Sequence, residues 1–102
     1  MKKESVKTVN GIVEKEYSRV CEDMKNGTQF IGRLRTCNAE ILASGRYYLL
    51  RSYNTIVAAI DADGYCYDFL RLVYGYTATS AQHISKFYHD LGGVEMYRYY
   101  PL

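Results

Sequence analysis

The stretch from Arg46 to Ile60 constrains the fold of this chain more than any other. After the arginine it reads Tyr-Tyr-Leu-Leu-Arg-Ser-Tyr-Asn-Thr-Ile-Val-Ala-Ala-Ile, dense in aromatic and β-branched side chains that suit a pleated, half-buried surface. It exceeds the usual strand length, so a bend or bulge is expected near Ser52-Tyr53-Asn54. Asp61-Ala62-Asp63-Gly64 follows as a turn, because Asp-Gly accepts the positive φ that tight hairpins need. Tyr65 to Leu72 then returns antiparallel. Alternation along it sets Tyr65, Tyr67 and Phe69 on one face and Cys66, Asp68 and Leu70 on the other.

Around this hairpin the pattern predicts helices and further strands. Ile12, Val13, Tyr17, Val20, Cys21 and Met24 fall on one side of a helical period, with Asn10 as N-cap and Asn26-Gly27 as the stop. Thr28 to Cys37 reads as a strand, with Arg33 and Arg35 on one side, and Asn38 to Ala43 as a further short one ended by Ser44-Gly45. A second helix starts among Thr77, Ala78 and Thr79. Thr79 and Gln82 have capping-box spacing there, and Thr77 is the competing cap. Its apolar stripe is Ala81, Ile84, Phe87, Tyr88 and Leu91, and Gly92-Gly93 ends it. Val94 to Tyr100 alternates as a last strand. The expected architecture is α+β: one domain over residues 1–102, with 1–9 a frayed polar lead-in. An antiparallel sheet of about four or five strands carries two helices on one face.

Composition narrows the function. Net charge is only +2, too small for an obvious nucleic-acid footprint and of the wrong sign for a DNA mimic. There are 12 Tyr against 3 Phe and no Trp, which fits a partly wet sheet or a surface that meets partners. Cys21, Cys37 and Cys66 are odd in number and have no Cys-x-x-Cys spacing. That argues against a disulfide framework or zinc site and for a reducing cytoplasm. The first residues are polar, so no signal peptide is expected, and no run approaches the roughly 20 apolar residues that span a bilayer.

Convergent catalytic groups are scarce. His83 and His89 stand six apart on the second helix and point in different directions, so they cannot chelate one ion as an i, i+4 pair would. A cysteine nucleophile paired with His83 lacks any local signature. Asp61 and Asp63 are ordinary turn residues, without the further spaced oxygens of a calcium loop. Gly32, Gly45 and Gly75 are isolated, so no phosphate loop or nucleotide fingerprint is present. No cofactor and no metal are expected. A nucleic-acid reading needs Tyr on adjacent strands to stack bases, while Arg33, Arg35, Arg46, Arg51 and Arg71 track phosphates.

Two segments resemble a known family. Ser52-Tyr53-Asn54-Thr55-Ile56-Val57-Ala58 has the form S-Y-x-T-x-V-A. Tyr76-Thr77-Ala78-Thr79-Ser80-Ala81-Gln82-His83-Ile84-Ser85-Lys86-Phe87 is similar to Y-S-x-T-T-x-x-H-I-x-x-F, departing at Thr77 and Ser80, hydroxyl for hydroxyl. Together they resemble a family of small uncharacterised proteins of phages and mobile elements, over about residues 46–88. No catalytic role comes with that resemblance. It implies a cytoplasmic protein in a bacterial host that binds and inhibits a host factor, such as a CRISPR or other defence nuclease, as an anti-CRISPR protein does. In the residues themselves, the second motif reads as strand exit, helix cap and a helix packing Ile84 and Phe87 on the sheet, with Thr55 and His83 bridging helix and sheet. The chain is therefore expected to be a stoichiometric binder, not an enzyme, anchored by Arg33, Arg35, Tyr65, Tyr67, Tyr97 and Tyr99. The alternative is a single-stranded nucleic-acid module using the same surface. Self-association through an open strand edge is also expected to be available.

Overall fold

The structure, a computed structural model, describes residues 6–34, 39–73 and 78–98. Helix α1 (Val6–Lys25) is followed by strands β1 (Gln29–Arg33), β2 (Ala39–Ser44), β3 (Tyr47–Ser52), β4 (Thr55–Ile60) and β5 (Tyr65–Asp68). A short helix α2 (Leu70–Val73) and a longer α3 (Ala78–Asp90) then lead to β6 (Glu95–Arg98). The six strands form one sheet in chain order, antiparallel from β1 to β5, with β6 parallel to β5. A parallel neighbour cannot be reached by a tight turn, and α2 and α3 supply the crossover.

α1 starts a turn earlier than Asn10. Val9, Val13 and Val20 form one buried stripe, so burial of Val9 extends the helix upstream and places Asn10 inside it, only 5% exposed. Asn10 is therefore not the N-cap. At the other end the Asn26 and Gly27 N–H groups bond to the carbonyls of Asp23 and Met24, closing the last turn where expected.

The long run of residues 46–60 does not bend as one strand. It folds back on itself at Tyr53-Asn54, pairing Ser52 with Thr55, and Tyr53 takes a left-handed φ of 57°. The irregularity lies further along, where Leu50 faces Ala58, Arg51 faces Ile56, and Val57 is the extra residue of a bulge. The bulge puts Val57 and Ala58 into the same apolar cluster and turns Ile56 to the other face.

The Asp61–Gly64 turn forms as expected. Asp61 Oδ1 accepts the N–H groups of Asp63 and Tyr65, both at 3.0 Å. β5 is shorter than the run to Leu72. Asp68 Oδ1 accepts the Leu70 N–H at 2.9 Å, capping α2 and turning the chain helical. Of the proposed caps of α3, Thr77 lies outside the described residues and Thr79 falls within the helix.

The helices cover both faces of the sheet, not one. Val9, Val13 and Val20 of α1 pack with Leu42, Tyr47, Leu49, Ala59, Tyr67 and Phe69. On the opposite face Ile84 and Phe87 of α3 and Leu70 of α2 pack with Leu50, Val57, Ala58, Ile60 and Cys66. Burial on two sides explains why residues 57–60 are an unbroken apolar run rather than an alternation. The hairpin's face assignment holds: Tyr65, Tyr67 and Phe69 go to the α1 side, Cys66 and Leu70 to the α3 side.

Candidate functional site: an open sheet edge

Among the described residues expected to anchor a partner, the arginine and the tyrosines do not meet. Arg33 is on β1, whereas Tyr65 and Tyr67 are on β5 and Tyr97 on β6, separated from β1 by roughly 20 Å of sheet. The three tyrosines form a ladder partly covered by α1. Tyr97 stacks on Tyr67 with ring centroids 5.5 Å apart and lies 5.9 Å from Tyr65. Tyr67 is buried, and its hydroxyl donates to Asp61 Oδ2 at 2.8 Å. Burial first, then the bond to Asp61, pushes its pKa up, so the phenol stays neutral. Tyr67 serves the core and the turn. Arg35 and Tyr99 lie outside the described residues. The arginines of the nucleic-acid reading are also dispersed: Arg33 and Arg51 share one face, Arg46 lies in the β2–β3 turn, and Arg71 is on α2.

A polar cluster at the junction of α3 and β3 brings two hydroxyls to a histidine. Ser52 Oγ lies 3.2 Å from Ser80 Oγ and 3.3 Å from His83 Nδ1. All three residues are buried. A nucleophile must reach substrate as well as its base, and this hydroxyl sits under a helix. The cluster bridges helix and sheet as the second motif implied, with His83 Nδ1 in hydrogen-bond contact with Ser52. Burial, and then the Lys86 charge, holds the His83 pKa below its ordinary value.

Other reactive groups are equally enclosed or isolated. Burial pushes the Cys66 thiol up, so it is an inert packing group, while Cys21 is exposed on α1. Asp68 is raised by burial, opposed by the Leu70 N–H and by Arg98 and Arg71. Among the described residues no three His, Cys, Asp or Glu side chains gather as a metal site. The outer face of α3 has a hollow of about 280 Å³ lined by Ser85, Lys86, His89 and Asp90, walled by a single helix and open to solvent.

What the described surface does present is β1. It pairs with β2 on one side and with no described strand on the other. Phe30 and Ile31 on it are 53% and 51% exposed, side chains that a monomer ordinarily buries. β1 carries a bulge at Ile31, since Phe30 faces Leu42 and Gly32 faces Ile41. Bulges twist an edge and limit indiscriminate pairing, which leaves room for a selective partner.

Registry links this edge to the rest of the sheet. Phe30 begins a rung that continues through Leu42, Leu49, Ala59, Tyr67 and Tyr97 across all six strands. Arg33 begins a second rung through Glu40, Arg51 and Ile56. In it the Glu40 carboxylate accepts from Arg51 Nε at 2.9 Å and also from its Nη2, while Arg33 Nη2 stands 3.9 Å from the other carboxylate oxygen. Neither rung is readable from spacing alone, because each depends on strand order and on two bulges. The runs of apolar residues at Phe30-Ile31 were the available signal.

These features define an α+β domain with covered sheet faces and an open, apolar and cationic edge. The chain belongs to a family of unknown function, DUF8033, whose sequence profile matches residues 9–99. No curated protein and no solved structure matches it. Among the described residues, no helix is long and apolar enough to cross a membrane.

Proposed function

We propose that this chain is a stoichiometric protein-binding module that docks an extended segment of a partner along β1. The observation that carries this reading is the pair Phe30 and Ile31, exposed side by side on a strand whose outer edge has no described neighbour. A strand added there gains main-chain hydrogen bonds and buries both side chains. The buried histidine cluster and thiol support a binder over a hydrolase. That the partner is a bacterial host factor, such as a defence nuclease, follows from the resemblance of the two motifs to phage and mobile-element proteins.

The test is capture by tagged protein from nuclease-treated lysate of a bacterium carrying defence systems, followed by reconstitution with the purified partner. Phe30→Asp with Ile31→Lys is expected to weaken the reconstituted complex at least about tenfold while the melting temperature holds. Val94→Lys, a change at an exposed apolar residue preceding β6, is expected to leave it intact. Equal binding by the edge variant overturns the reading. So does retention of nucleic acid alone, at low salt and not at high, which marks counterion release.

A further inference from the structure

Wherever a described residue takes a positive φ, it is glycine, with one exception. Gly27, Gly45, Gly64 and Gly92 follow the rule, and Tyr53, with φ of 57°, breaks it. A β-carbon in that conformation crowds the backbone, which is why glycine ordinarily fills hairpin positions of this kind. Tyr53 is the first of the two residues that turn β3 into β4, between the paired Ser52 and Thr55. Asn54 beside it tolerates positive φ better than tyrosine does, yet it is not the residue that takes it.

The fold draws no bond from the residue that bears this strain. Tyr53 is 54% exposed, and its side chain makes no hydrogen bond and no ring contact with another described residue. A side chain that costs the fold and gives it little acts on something outside the chain. Its position fits that role. Ala39 pairs with Ser52, and the Leu34 N–H bonds to the Ala39 carbonyl, so the tip stands beyond the row at which β1 ends. It lies two strands in from the open edge, roughly 10 Å away.

Resting on the edge-docking reading, we infer that Tyr53 is a second anchor for the same partner protein. Its ring enters an apolar socket of that protein while the partner's extended segment lies along β1. A convex tip needs a concave acceptor, and tyrosine buries a large area while fixing only two rotors. The socket is walled by apolar side chains and holds one polar group for the phenolic hydroxyl. The hollow on α3 of a second copy does not fit that description, since Ser85, Lys86, His89 and Asp90 line it.

Two substitutions in the full chain separate ring from strain. Tyr53→Gly relieves the turn and removes the ring, whereas Tyr53→Phe keeps both. Tyr53→Gly is expected to raise the urea midpoint of the free chain and to weaken the complex reconstituted with the captured partner at least about tenfold. Tyr53→Phe should leave the midpoint unchanged and the affinity within about threefold. An unchanged or lower midpoint for Tyr53→Gly means that the ring serves the fold, and overturns the inference. So does native affinity of that variant. If Phe30→Asp with Ile31→Lys releases the partner and Tyr53→Gly does not, the edge reading stands and this inference falls. If only Tyr53→Gly releases it, the edge reading falls instead, and capture of no protein overturns both. Sedimentation and titration with oligothymidylate complete the test. A dimer of the free chain, or binding of the oligonucleotide, that Tyr53→Gly abolishes would give the ring to a second copy or to a base and overturn the inference.

Discussion

His83 shows what burial does to an ordinary titratable group. Its ring nitrogen meets Ser52 in a cluster sealed between α3 and the sheet, and its pKa lies below the usual value because burial and Lys86 oppose the charged form. In the unfolded chain the imidazole takes up a proton near its ordinary value of about 6.5. At pH below that, and above the folded value, the unfolded state holds more protons, so stability falls as pH falls. The contribution is fully present above about pH 6.5 and is lost progressively on acidification towards the depressed folded value. Urea midpoints measured from pH 7.5 downward should therefore decrease faster for the native chain than for His83→Asn. Parallel curves would show that His83 does not titrate on unfolding. Asp68, raised by burial, acts with the opposite sign, so it does not mimic this slope.

At the scale of elements, the turn between β4 and β5 does two tasks. Gly64 has φ of +89°, and its carbonyl accepts the Val94 N–H at 2.6 Å, tying the turn to the start of β6. A Cβ at Gly64 stands 2.9 Å from Val94 Cγ2, whereas Gly92, with φ of +66°, has open space around it. Gly64→Ala should cost about 1–3 kcal/mol, the left-handed strain plus the clash, and Gly92→Ala about 1 kcal/mol, the strain alone. Denaturant unfolding of the two variants checks the difference, and equal losses refute it. This turn was legible in the sequence because Asp and Gly act through local chemistry. The Tyr53-Asn54 turn was legible as a bend and not as a hairpin, because no glycine marks it and the apolar run passes straight through. β5 was cut short by Asp68 capping α2, a competition between strand and helix that alternation does not register.

For the whole molecule, the decisive feature is that the sheet is covered twice. Phe69 lies in the α1 cluster and Phe87 in the α3 cluster, both fully buried. Each truncation to alanine should cost about 3–5 kcal/mol. Because the two side chains lie on opposite faces with no shared cluster, the losses should nearly add, taking the double variant to the limit of a domain's usual 5–15 kcal/mol. Circular dichroism and urea unfolding of the single and double variants check this, and strong non-additivity would mean the faces are coupled. α1, α3 and the central hairpin could be read from periodicity, since their signals are local, whereas α2 lay in a run read as strand. Their assignment to opposite faces could not, because an amphipathic helix says only that one side is covered. The edge site was legible only in fragments: Arg33 was singled out by its place on a strand, while Glu40 and Arg51 join it through registry set by bulges. Tyr67 was chosen for its residue type, yet burial gave it to the core.

The late parallel strand also has a consequence for synthesis. β1 to β5 pair with immediate neighbours in sequence, so this meander can assemble as the chain leaves the ribosome. β6 must wait until α2 and α3 have crossed the sheet, and during that interval the outer side of β5 is unpaired. A nascent chain paused before Glu95 shows β5 at the margin that β6 occupies in the finished sheet, and crowded polysomes are where that early margin would be felt.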